Sequence, residues 1–201
     1  MNRSTNLIES IIMKVMTFII LLGLFEYSLL AQNIDQYKSF QNQLSFCSSY
    51  EDYEKLAQDI QYYISKYEKN DLSNIYIIFG ILRVKQLHFL VSGDEIENFR
   101  IHNKISIYYY SEALEAFSKI NLDTLTYNQQ ISLSLHKLIC YVEKYDYRRS
   151  DAELDTLTNL LNKLDQHIKS NKIQKVLQNL NDYGLEEEAD RILGLIADEL
   201  V

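Results

Sequence analysis

The chain of 201 residues contains no proline, no tryptophan and only five glycines. Proline and glycine form many of the tight turns that β-rich folds need, so their scarcity argues against a β-sandwich or a β-barrel. An excess of basic residues is also lacking, because 20 Lys and Arg stand against 28 Asp and Glu and the formal net charge is −8. Nucleic-acid binding and docking on anionic lipid both need a basic surface, so the charge argues against both classes.

The composition is otherwise that of a globular protein. Hydrophobic residues make up 47% of the chain, which is enough for a packed core and argues against disorder. No segment rich in glycine, serine or proline divides the sequence. We therefore expect one domain, since a domain usually takes roughly 100–200 residues.

The N-terminus has the order of a secretory signal peptide. A positive Met13-Lys14 precedes an apolar run over residues 15–25, and Ala31 is a small residue at a candidate cleavage site. The run is too short to span a bilayer, which takes about 20 apolar residues. We expect residues 1–31 to be a signal peptide and residues 32–201 to be exported to the periplasm or the medium, with no membrane insertion after cleavage.

Two alternatives stay open for this region. Residues 1–12 are polar and contain Glu9, which is unusual before an apolar run, so translation can start at Met13 instead of Met1. The apolar run can also be read as a buried N-terminal helix or an uncleaved anchor. Residues 1–31 carry two charges of each sign, so the mature chain keeps a net charge of −8.

Apolar side chains recur every three or four residues along the mature chain, which is the pattern of amphipathic helices. The spacing predicts an all-α domain of about eight helices, arranged as four hairpins because the connections are short. The predicted helices cover residues 35–48, 50–69, 72–91, 99–120, 124–146 and 150–168, followed by two with apolar stripes over 173–180 and 189–200. The helix at 72–91 is apolar on nearly every face and should be buried on several sides.

Local residues predict where some helices begin and end. Ser49 is placed to cap one helix, and Ser150 with Glu153 has the spacing of a capping box. Gly184 is expected to end a helix in the left-handed conformation. A polar loop is predicted at residues 92–95.

The C-terminal hairpin resembles one tetratricopeptide repeat. The apolar residues that carry the resemblance are Ile173, Val176, Leu177 and Leu180, then Gly184, then Ala189, Leu193 and Ile196. Ala189 matches the small residue of the family's second helix, and Leu193 stands where phenylalanine is usual. Leu177 departs from the family pattern, because a small residue is usual there. The resemblance implies a short α-solenoid that binds a peptide or protein, without catalysis or a cofactor.

No pattern of catalytic or metal-binding residues is present. The histidines at positions 88, 102, 136 and 167 lie far apart in sequence, and neither cysteine completes a metal-ligand spacing. We therefore predict no enzyme, no metal and no cofactor. Cys47 and Cys140 leave two alternatives, a disulfide in an oxidising compartment or two buried thiols, of which we favour the thiols.

Clustered tyrosines are the best indication of a binding surface, because tyrosine offers a large contact area at low entropic cost. The clusters are Tyr62-Tyr63, Tyr108-Tyr109-Tyr110 and the group of Tyr141, Tyr145 and Tyr147. One ring of each cluster should lie in the core, whereas Tyr62, Tyr110 and Tyr147 should be exposed or half exposed. Arg148 and Arg149 adjoin the last of these. We predict a binding surface formed by these five residues.

The sequence thus favours an exported, non-catalytic scaffold that binds a protein or peptide partner. The alternative is a small secreted immunity or inhibitor protein that neutralises a basic partner, which the net charge of −8 suggests. An enzyme would require acid–base residues that the fold brings together from distant positions.

Overall fold

The computed structural model describes Met16 and residues 33–68, 71–92 and 99–198. The predicted signal peptide, apart from Met16, and its cleavage site lie outside this part of the chain. Most of the loop predicted at residues 92–95 also lies outside it.

The described ranges contain eight α-helices, one short 3₁₀ turn and no strand, so the all-α prediction is confirmed. Helix α1 covers residues 33–46. It is followed by α2 (Tyr50–Lys66), α3 (Ser73–Ser92), α4 (Phe99–Ser118), the 3₁₀ turn (Leu122–Thr124), α5 (Tyr127–Glu143), α6 (Tyr147–Asn162), α7 (Gln166–Asp182) and α8 (Glu186–Asp198).

Each helix packs mainly on its neighbours in the sequence, with further contacts between α3 and α5 and between α6 and α8. Helix α3 is the centre of the N-terminal half, because it contacts α2, α4 and α5. Its length and mean hydropathy of 1.3 would also suit a membrane-crossing helix, but most of it is buried against these neighbours. Gly80 lets α4 approach closely: a methyl group at this position would overlap the buried ring of Phe117.

Side-chain caps mark the starts of α2 and α6, the first as predicted and the second at a different residue from the one predicted. Ser49 caps α2, accepting a hydrogen bond from the backbone N–H of Asp52, whose carboxylate accepts from Ser49 in return. The capping box predicted at Ser150 is wrong. Helix α6 begins three residues earlier, where the Asp146 side chain accepts from Arg149 N.

Two helices end with a residue in the left-handed conformation. Gly184 follows α7 with φ +72°, as predicted, and the N–H of Leu185 reaches back to the carbonyl of Leu180 at 2.9 Å. Tyr145 occupies the equivalent position after α5 with φ +57°, and the N–H of Asp146 bonds to the carbonyl of Tyr141 at 2.9 Å. Both ends therefore satisfy their last carbonyls by the Schellman pattern.

The helix predicted over residues 150–168 ends earlier than predicted, and its last residues belong to the next helix. The chain leaves α6 after Asn162 and enters α7 at Gln166, without a glycine or proline between them. Ile168, predicted on the buried stripe of one long helix, lies on α7 and is exposed. In the last helix Leu193 is likewise exposed, whereas Ala189, Ile192 and Ile196 are buried as predicted.

Candidate functional site

The structure buries one of the predicted binding residues. Tyr110 is only 5% exposed, so its prediction as a surface residue is wrong. Burial raises the pKa of its hydroxyl, with Glu143 and Cys140 of α5 and Tyr183 also acting on it. Tyr108, two residues earlier, is the exposed ring of this cluster, and its hydroxyl donates to Glu112 Oε1 at 2.9 Å.

The predicted residues at positions 147–149 lie together in the first turn of α6, next to the turn that follows α5. We call this surface the aromatic corner, formed by Tyr145, Tyr147, Arg148 and Arg149. The two tyrosines are 75% and 65% exposed, and their rings meet edge to face with centroids 6.4 Å apart. Both arginines are also exposed. Exposed tyrosine and arginine side chains are of the types enriched at protein interfaces.

Arg149 is held in place at this corner by two contacts. Its Nε lies 3.5 Å from Asp146 Oδ2, and its guanidinium carbon lies 5.8 Å from the centre of the Tyr141 ring. Exposed pairs of this kind contribute little stability. Their effect is to orient the guanidinium beside the exposed tyrosines.

Tyr62 is as exposed as predicted, at 69%. It lies on α2, whose main packing partner is α3, whereas the aromatic corner lies at the start of α6. The predicted set of five residues is therefore not one surface: three of them join Tyr145 at the corner, Tyr62 lies elsewhere, and Tyr110 is in the core.

A cleft of about 360 Å³ opens between α2 and α4, above α3. We call it the α2–α4 cleft. Its walls combine aromatic rings, carboxylates, a lysine and small polar groups: Gln61, Ile64 and Ser65 from α2, Glu68 just after its end, Tyr76 and Phe79 from α3, Glu112, Glu115 and Ala116 from α4, and Lys119 just after its end. The volume is in the range of small-molecule and side-chain pockets.

Behind this cleft lies a buried charge network centred on Arg83, whose side chain is 5% exposed. Its Nη1 donates to Gln86 Oε1 at 2.7 Å and, at a longer 3.4 Å, to Glu54 Oε2. Gln86 Nε2 donates to the same Glu54 oxygen at 3.0 Å. The guanidinium also lies 5.1 Å from the centre of the Phe79 ring. Helices α2 and α3 are thus joined by ionic as well as apolar contacts.

The contact of Arg83 with α4 is an ion pair without a well-aligned hydrogen bond. Arg83 Nε lies 2.9 Å from Glu112 Oε2, yet neither atom has a hydrogen-bond partner of acceptable geometry. The distance establishes the attraction between the charges, and the angle leaves Glu112 Oε2 with unused acceptor capacity. The sequence offers a signal for this network, because an arginine in a helix apolar on nearly every face must be buried with a counterion.

The cysteines and histidines do not form a further site among the described residues. Both cysteines are free thiols; Cys140 is buried and Cys47 half-buried. Burial lowers the pKa of His136 to about 4, and its Nδ1 lies 2.7 Å from the carbonyl oxygen of Ser132. The His88 ring packs on Tyr183 with centroids 4.7 Å apart. No group of three or more His, Cys, Asp or Glu side chains within these ranges is placed to hold a metal.

Comparison with known proteins adds no family to these observations: no protein-family model, no curated protein and no solved structure matches the chain.

Proposed function

We propose that the protein is an exported, non-catalytic scaffold that binds a protein or peptide partner, with the aromatic corner as its contact surface. The observation that carries the proposal is Tyr145. A side chain other than glycine in the left-handed conformation costs roughly 1–2 kcal/mol, and a ring that is 75% exposed recovers little of this by packing. The helix end uses this backbone conformation but does not require a tyrosine side chain, and residues in sparsely populated backbone conformations cluster at functional sites.

The neighbours of Tyr145 supply what a protein contact needs. Tyr147 adds a second exposed ring, and the Arg149 guanidinium is oriented by Asp146 and Tyr141. Tyrosine and arginine are the residue types that contribute most to binding energy at interfaces. Helices that pack mainly on their sequence neighbours are compatible with the stacked hairpins that the repeat resemblance implies.

The alternative function, neutralising a basic partner, has support from a different part of the molecule. Carboxylates outnumber cations on the walls of the α2–α4 cleft, and the whole chain has a net charge of −8. Both proposals bind a protein, but through different surfaces.

The test of the aromatic corner is affinity purification of the tagged full chain from the native cell envelope and medium, with mass spectrometry of bound proteins. The double variant Tyr145→Gly and Tyr147→Ala should lose a partner that the wild type retains. Tyr62→Ala is the matched control, since Tyr62 is equally exposed but lies on α2. Partners that both variants retain, or that both lose, would contradict the proposal.

Export is tested by the mass of the recovered protein. Cleavage after Ala31 leaves Gln32 as the first residue. A protein found only inside the cell with residues 13–31 intact would overturn this half of the proposal.

A further inference from the structure

We propose that the α2–α4 cleft binds the side chain of an arginine or lysine from a basic segment of a protein partner. This inference shares with the proposed function the premise that a protein is bound. Its residues are different from those of the aromatic corner, so each can fail without the other.

The charge of the cleft is unbalanced. Glu68, Glu112 and Glu115 line it, with Lys119 as the cation, and Lys119 Nζ is paired with Glu115 at 2.9 Å. Behind the wall Arg83 is shared between Glu54 and Glu112. Four carboxylates thus surround two cations, an excess of two negative charges that favours a positively charged occupant.

The carboxylates of the cleft differ in how free they are. Glu112 is engaged within the chain, because Oε1 accepts from Tyr108 and the buried Oε2 is paired with Arg83 at 2.9 Å. Glu68 and Glu115 are exposed, and a carboxylate has room for several donors. A guanidinium or ammonium group in the cleft would therefore pair with Glu68 and Glu115.

The aromatic walls suit the same kind of occupant. Phe79 and Tyr76 line the cleft, and each already has a cation of this chain beside it: the Arg83 guanidinium carbon lies 5.1 Å from the Phe79 centroid, and Lys119 Nζ lies 5.7 Å from that of Tyr76. A cation over an aromatic face is attracted by the ring quadrupole. The rings of Phe79 and Tyr76 thus already attract cations of this chain, and an open volume of about 360 Å³ lies beside them.

The remaining walls favour a side chain that carries an aliphatic stem. Ile64 and Ala116 offer apolar contact to methylene groups, and Gln61 and Ser65 offer hydrogen bonds to a peptide backbone. An arginine or lysine side chain meets both requirements, with its charge among the carboxylates.

The experiment is a titration of the isotopically labelled full chain with N-propylguanidinium, followed by amide chemical shifts. Saturable shifts should centre on Ile64, Phe79 and Ala116, with a dissociation constant on the order of 1–10 mM for so small a ligand. Glu115→Gln and Glu68→Gln should each weaken binding about two- to five-fold, the usual effect of one exposed charge. Glu186→Gln on α8 is the matched control and should change nothing.

A second arm tests whether the occupant belongs to a protein. A capped glycine–serine peptide with one central arginine should bind at least about tenfold more tightly than propylguanidinium, because its backbone also contacts the cleft. The same peptide with a central glutamate should not bind. Shifts that spread evenly over all acidic surfaces, or an unchanged affinity in both cleft variants, would overturn the site. Equal affinity of the peptide and propylguanidinium would overturn the inference that the occupant belongs to a protein.

Discussion

At the residue scale, Tyr145 combines strain with exposure. Within the described ranges it is the only residue other than glycine with a positive φ. The Schellman hydrogen bonds around it involve only backbone atoms, so glycine could form the same helix end. The tyrosine side chain is therefore not required for the turn.

Substitution of Tyr145 is therefore expected to have opposite effects on binding and on stability. Tyr145→Gly should raise the free energy of unfolding by about 1 kcal/mol, because glycine adopts the left-handed conformation without strain. Urea unfolding measures the change, and Tyr145→Phe is the control that should leave stability near the wild-type value. A glycine variant less stable than the wild type would show that the ring stabilises the fold.

A second residue-scale prediction concerns His136. Its pKa is about 4 in the folded protein because burial disfavours the imidazolium, against 6.5 for the ordinary group. The unfolded chain therefore binds a proton that the folded chain does not, and stability falls as the pH drops from 6.5 towards 4. Between about pH 7 and about pH 5 the loss should be about 2 kcal/mol.

The measurement is chemical denaturation at both pH values for the wild type and for His136→Gln. The variant lacks the titrating group, so its stability should change much less over this interval. Direct titration of the imidazole resonances gives an independent check. A normal His136 pKa in the folded protein would contradict the expectation.

At the scale of the elements, Gly80 fixes how closely α3 and α4 pack. Gly80→Ala should destabilise the protein by about 1–3 kcal/mol, since the added methyl overlaps Phe117 in a filled core. Gly194→Ala is the same change in α8, where nothing lies within 4 Å, and should stabilise by up to about 1 kcal/mol through helix propensity. Thermal unfolding compares the two variants.

The double variant Gly80→Ala and Phe117→Leu separates a clash from a loss of backbone freedom. A smaller side chain at position 117 should relieve the overlap, so the two substitutions together should cost less than the sum of their separate effects. Strict additivity would show that Phe117 is not the cause.

Element types were predictable from the sequence because apolar spacing decides which face is buried, and this holds for all eight helices. The boundaries of the helices were less predictable than their types. Asp146 and Ser150 are both competent caps, and only the folded chain shows that Asp146 is used. The apolar spacing also continues across residues 163–165, so the break between α6 and α7 leaves no periodic signal.

The site was only partly predictable for a related reason. Exposure of Tyr147, Arg148, Arg149 and Tyr62 follows from the polar faces of single helices. Tyr110 lies off the main stripe of α4 and is nevertheless buried, with groups of α5 and Tyr183 near enough to act on its hydroxyl. Periodicity within one helix does not register a second packing partner, and it does not show that α2 and α4 leave a cleft above α3.

At the scale of the whole molecule, the contacts bear on whether the N-terminal half around α3 and the C-terminal half that ends in α7 and α8 unfold together. Sequential packing often allows stepwise unfolding. Here the turn between α7 and α8 also reaches back to α3, since Tyr183 packs on His88, which is 95 positions earlier. We expect this contact to couple the halves into one cooperative transition.

A substitution at this contact would allow the unfolding transition to be followed. The chain has no tryptophan, so Tyr183→Trp would introduce a single tryptophan, which can be excited selectively over the tyrosines, at the point where the C-terminal hairpin meets α3. Its emission would report the local docking of that hairpin, while far-ultraviolet circular dichroism reports all eight helices. Coincident denaturation curves would indicate cooperative unfolding, and an earlier fluorescence change would reveal a hairpin that detaches first.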